Sequence, residues 1–139
     1  MNTKRIITGG LLAGLVIFLL DWLIHGLMLG PTWKSLELVG ITKSPQAYTM
    51  PVIFVQEVVV GFVLCWLYVL ARPSLGPGPK TAFIIGTMAW LLLYVPYGIT
   101  QWLWLTLPAK IGWIGTLGGL VQCWAATYVA GWQYIEKAP

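Results

Sequence analysis

Asp21 and Glu57 stand inside long apolar runs, and they are two of only four acidic residues in the chain. The stretch FLLDWLIHG, Phe18 to Gly26, places the single histidine, His25, four residues after Asp21. On a helix that spacing puts both side chains on one face, a turn apart. Gln56 sits beside Glu57, and further polar groups stand in later apolar runs at Tyr94, Tyr97 and Gln122. An ionised carboxylate at membrane depth costs ~3 kcal/mol on insertion scales, so it should face protein or water and have a partner. His25 is the internal base at hand. The expectation is a polar cluster of Asp21, His25 and Glu57, with one of the two carboxyls carrying a proton near neutral pH, joined by Gln56, Gln122, Tyr94 and Tyr97.

Three kinds of chemistry suit such a cluster. It could be interhelical hydrogen-bond glue that sets the register of the first two helices. It could be a binding or proton-exchange site for a small ligand. His25 could instead be an axial ligand of a haem or pigment. One histidine cannot supply bis-histidine ligation, so that case needs a partner subunit or a five-coordinate metal. The sequence requires no cofactor and leaves any metal unknown. Cys65 and Cys123 both lie within apolar segments, which argues against a disulfide framework. No C-x-x-C, P-loop, dinucleotide-binding glycine fingerprint or H-E-x-x-H pattern occurs. His25 with Asp21 could act as a general base, but no motif places a nucleophile, so no catalytic residue is assigned.

The elements that must position these groups are membrane helices. Of 139 residues, 58% are hydrophobic and 9% charged, against about 25% charged in soluble chains. Four apolar segments, approximately 6–29, 48–70, 81–99 and 111–134, each reach the ~20 residues a helix needs to span hydrocarbon. None shows the polar–apolar alternation of a barrel strand. The fold expected is all-α: a single domain of four transmembrane helices, with an interfacial loop at 30–47. Lys4 and Arg5 precede an apolar stretch longer than a signal-peptide core, with no small-x-small cleavage site after it, which reads as an uncleaved signal anchor.

Depth counting brings the carboxyls together. Asp21 lies about 6 Å beyond the midpoint of the first segment, and Glu57 about 5 Å from that of the second, on the same side. Gly10 with Gly14, and Gly115 with Gly119, are small-x3-small faces suited to close helix packing. Pro96 should kink the third helix, and the connection ARPSLGPGPK should stop the second. Trp102, Trp104 and Trp113 suggest an outer aromatic belt, and Trp66, Trp132 and Tyr134 an inner one.

With the amino end inside, Lys4, Arg5, Arg72, Lys80 and Lys137 fall on the cytoplasmic side and Lys34, Lys43 and Lys110 opposite. That bias puts both termini in the cytoplasm. The net charge of +4 suits anionic lipid headgroups, and nothing points to nucleic acid.

The two halves echo each other. Gln56-x5-Phe62-Val63-x2-Trp66-x-Tyr68 recurs as Gln122-x5-Tyr128-Val129-x2-Trp132-x-Tyr134, and Gly14 and Gly26 align with Gly86 and Gly98. The alternatives are chance among aromatic-rich helices and a repeat of two hairpins about an axis along the membrane normal. Under that alignment Asp21, His25 and Glu57 correspond to Leu93, Tyr97 and Cys123, so only the first half keeps ionisable residues.

At GPTWKSLELVGI, the pattern Gly30-x2-Trp33-x2-Leu36-x3-Gly40 followed by three more apolar segments resembles a family of small four-helix bacterial membrane proteins of unknown function. The resemblance implies a bundle in a bacterial inner membrane and carries over no site residues. The function expected from the residues is an integral membrane protein without catalytic chemistry, an accessory or scaffolding subunit of a larger complex. The alternative is a small transporter or ligand-binding protein, as a homo-oligomer, that uses the Asp21, His25 and Glu57 cluster. A cavity reaching Asp21 separates the two: a scaffold has no use for one.

Overall fold

A computed structural model describes residues 2–134 of the chain, and they form five helices and no strands. Helix α1, Thr3–Asp21, continues without a break into a π-helical stretch, Trp22–Met28. A shorter helix α2, Gly30–Leu38, follows, then three long ones: α3, Thr49–Leu75, α4, Pro79–Trp104, and α5, Ala109–Gln133. Asn2 caps α1, its side chain accepting the Arg5 N–H at 3.4 Å. Lys137 falls outside the described residues.

Three stretches, Thr3–Met28, Thr49–Leu75 and Pro79–Trp104, are long and apolar enough to cross a membrane. By that measure the chain is a membrane protein. Helix α5 is as long but less apolar, because Gly, Thr and Gln recur along it. Its setting explains this composition. It packs against α1, α3 and α4 and buries Gly119, Gln122, Cys123, Ala126, Thr127 and Ala130. A helix enclosed by other helices gains more from small residues and hydrogen bonds than from greasy ones.

Several boundaries differ from the sequence expectation. Helix α3 passes through Pro73 and ends at Leu75. Proline there removes one donor near the helix end, whereas the reversal is made at Gly76, whose φ of +84° is a left-handed value that glycine adopts without steric cost. The Gly76 N–H still reaches the Arg72 carbonyl at 2.9 Å. Helix α4 runs to Trp104 rather than Ile99, since nothing before Leu105 breaks it. The segment expected as the interfacial loop 30–47 is helical over its first half, with Pro31 in the first turn of α2, where its missing N–H costs nothing. Leu36 is buried there against Ile24, Leu29 and Ile111, so α2 caps one end of the bundle.

The other end is marked by Tyr134, whose hydroxyl accepts the Asn2 N–H at 3.1 Å. The Arg72 guanidinium lies 5.3 Å from its ring centroid. Tyr134 is only 3% exposed, so it is a packing residue and not part of an aromatic belt. Trp66, Trp102, Trp104, Trp113 and Trp132 are exposed. Both cysteines are free and buried, in the central core with Ala13, Ile17, Leu64, Ala89, Ala126 and Ala130.

Close approach is built from glycine in two matching places. A Cβ on Gly14 would stand 2.8 Å from the Glu57 carbonyl oxygen and meet Val58; one on Gly86 would stand 2.9 Å from the Cys123 carbonyl oxygen and meet Trp124. One turn earlier, Gly61 lies against the Gly10 carbonyl oxygen, and Thr127 Oγ1 donates to the Ala82 carbonyl at 2.9 Å. Helix α1 thus meets α3 through positions aligned with those by which α4 meets α5.

Candidate functional site: an acidic cavity at the Trp33 end

A cavity of ≈ 580 Å³ opens inside the bundle near the α2 end, lined from all five helical elements. That volume is typical of small-molecule sites. Asp21 and His25 enter from the first helix and its π-helical continuation, Gln56 and Glu57 from α3, and Tyr94, Tyr97 and Gln101 from α4. Thr116 and Gly115 line it from α5, and Trp33 from α2. Six of the seven polar residues expected from the sequence therefore share one cavity, and the seventh, Gln122, is bonded to two of its walls.

Gln122 is 1% exposed, and its amide is oriented from both sides. The Tyr94 hydroxyl donates to Gln122 Oε1 at 2.8 Å, which turns Nε2 toward Asp21, where it donates to Oδ1 at 3.2 Å. The relay holds the Asp21 carboxylate at the cavity wall without neutralising it.

His25 also faces Asp21. The Trp33 indole Nε1, which can only donate, reaches His25 Nδ1 at 3.3 Å. Nδ1 is therefore an acceptor, and the ring proton resides on Nε2, which faces Asp21 Oδ1 at 3.8 Å. The π-helical stretch carries His25, and Leu29 N–H reaches back five residues to the Ile24 carbonyl at 2.9 Å. Such wide turns are frequent at functional sites. Ligation of a haem iron or pigment metal by His25 would sacrifice either the Trp33 bond or the Asp21 contact. Among the described residues, no group of three or more His, Cys, Asp or Glu is arranged to hold a metal ion.

Glu57 is buried, 7% exposed. Among the described residues, no lysine or arginine lines the cavity. The result is two carboxyl groups, one imidazole and three aromatic rings around open space. Chemically this arrangement favours a positively charged guest, held by charge and by ring faces.

Three lining residues with hydrogen-bonding side chains, Trp33, Gln101 and Thr116, escaped the sequence reading. Trp33 reads as interfacial in the sequence, although an indole eight residues past the only histidine is a donor to consider. Gln101 follows Tyr97 at helical spacing and could have been found on that basis. Thr116 had no signal apart from polarity. The glycines divide by what they meet: Gly10 the Phe62 ring, Gly14 the α3 backbone and Gly119 the Tyr94 ring. Gly115 is different, since a Cβ there would stand 3.5 Å from His25 Cε1, and its bare backbone widens the cavity.

Comparison with family models, curated proteins and solved structures finds no match to this chain.

Proposed function

We propose that the chain is a four-span membrane protein that binds a small organic cation in the acidic cavity, as a ligand-binding protein or small transporter. The observation that carries this reading is the one-sided lining of the cavity: among the described residues, two carboxyl groups face it and no lysine or arginine does. A guest ammonium group supplies the partner that a carboxylate at this depth needs, and Trp33, Tyr94 and Tyr97 offer faces for cation–π contact. The cavity beside Asp21 also makes this reading stronger than that of a scaffolding subunit.

Helix α5 serves as the fourth span because its 25 residues match the other long helices and pack among them. The matched approaches at Gly14 and Gly86 support a fold of two related hairpins, of which only the first kept its charges. The distribution of Lys and Arg supports cytoplasmic termini, with the cavity toward the outer side. The resemblance at Gly30 to Gly40 supports a bacterial inner membrane.

Native mass spectrometry of protein purified in mild detergent, with tetramethylammonium added, tests the reading. The expected result is one retained cation per chain and no obligatory larger partner. A chain that purifies only with other subunits and retains no cation would restore the scaffold reading.

A further inference from the structure

A second cavity, of ≈ 430 Å³, lies between α4, the Leu105–Pro108 connection and the start of α5, with no contribution from α1, α2 or α3. Its walls are almost entirely hydrocarbon and aromatic, with Val95, Ile99, Leu105, Leu107 and Leu117 prominent. The exposed rings of Trp102 and Trp113 flank it. The Trp90 indole N–H, which would otherwise be a polar spot on the wall, is satisfied by the Thr116 carbonyl at 2.7 Å.

This slot and the acidic cavity back onto each other. Gly98, Gln101, Gly112 and Thr116 line both. At one level the partition is shut, because Gly98 lies directly against Thr116 Oγ1. Toward the α2 end it is thin: a Cβ on Gly112 would meet nothing within 4 Å, so Gln101 supplies the long side chain of the partition. Gly112 thus leaves a seam between a hydrocarbon slot and a pair of carboxyl groups.

We propose that the two cavities form one bipartite site for a single-chain amphiphilic amine. Its ammonium head lies between Asp21 and Glu57, and its hydrocarbon tail passes the Gln101–Gly112 seam into the slot between α4 and α5. The proposal rests on the cation-binding reading and adds the class of ligand and its path from the lipid-facing side. Among the described residues, neither cavity carries a lysine or arginine, so a phosphate next to the head would meet carboxylates with no counter-charge. A phospholipid is therefore not the occupant. The slot is matched to a tail by its hydrocarbon lining, and the acidic cavity to a cation by charge.

The experiment uses the full chain in nanodiscs and octyltrimethylammonium carrying a diazirine at the end of its tail. After irradiation, mass spectrometry should find the label concentrated on Ile99, Leu105, Leu107 and Leu117. An excess of tetramethylammonium, which competes for the head position alone, should lower that labelling at least tenfold. A phosphocholine probe with the same tail should label the slot at least tenfold less. Labelling spread evenly over exposed positions such as Leu15, Val52 and Leu92, slot labelling that tetramethylammonium leaves unchanged, or equal labelling by the phosphocholine would each overturn the proposal. Failure of the underlying reading is separately visible: in that case tetramethylammonium itself shows no saturable binding to the unlabelled protein, and the proposal falls with it.

Discussion

The Trp33 indole donates to His25 Nδ1 at 3.3 Å, across eight residues and the bend between the π-helical stretch and α2. This one contact makes Nδ1 of the only histidine an acceptor and leaves Nε2 to face Asp21. Replacing Trp33 with Phe keeps a ring packed on the Ile24, Leu29, Leu36 and Ile111 cluster and removes the donor. Nitrogen-15 NMR of His25 should then change from the single Nε2–H tautomer to a mixture, with a stability loss of about 1 kcal/mol. An unchanged tautomer would show that Trp33 does not set it.

The relay from Tyr94 through Gln122 to Asp21 predicts an order of effects. Tyr94→Phe removes one bond, and Gln122 keeps its donor on Asp21, so the loss should be about 1 kcal/mol. Gln122→Leu deprives both the Tyr94 hydroxyl and the Asp21 carboxylate and should cost about 2–3 kcal/mol. Thermal unfolding in nanodiscs ranks the two variants; the reverse order would break the relay.

Glycine substitutions should separate packing from open space. A methyl on Gly61 would be forced into the α1 backbone at Gly10 and Gly14, so Gly61→Ala should destabilise by about 1–3 kcal/mol. Gly112 faces open space, and Gly112→Ala should change stability by less than about 1 kcal/mol, toward the more stable side. Denaturation monitored by helical circular dichroism compares them directly.

Outside the spanning helices, the Glu37 carboxylate ties α2 to the following turn. Ser44 Oγ donates to its Oε1 at 2.7 Å and Lys34 Nζ at 3.1 Å. These two bonds, Ser44 first, hold its carboxyl below the ordinary value of 4.5. A lowered value in the folded state means the tie is fully present above the ordinary glutamate range. It is lost as pH falls through the shifted value. Protection of the amides at residues 39–46, taken relative to their intrinsic exchange rates, should fall on that acid side and stay constant between neutral pH and about 5. Glu37→Gln should flatten the dependence.

Much of the architecture was legible because hydrocarbon thickness dictates helix length. Asp21 and Glu57 were brought together by depth alone, since both lie a few ångströms from the middle of sequential apolar segments. The wide turn at Trp22–Met28 was not legible, because nothing in WLIHGLM distinguishes a five-residue hydrogen-bond register from a four-residue one. The partnership of Trp33 with His25 depends on that turn and on the way α2 folds back, so it too required the structure. The cavity owes its width to what is missing at Gly112 and Gly115. In sequence these read like any other membrane-helix glycines.

Calorimetric titration of tetramethylammonium into nanodisc-embedded protein tests most directly whether the carboxyl groups of Asp21 and Glu57 hold a cation. Asn and Gln are isosteric with the residues they replace, and the amide oxygen introduced by Asp21→Asn would still accept the Gln122 amide. An Asp21→Asn, Glu57→Gln double variant should therefore keep its fold. Saturable binding at one site is predicted in the native chain, with at least a tenfold loss, about 1.4 kcal/mol, in a double variant of native helicity. Equal binding by the native chain and the folded double variant would contradict the claim.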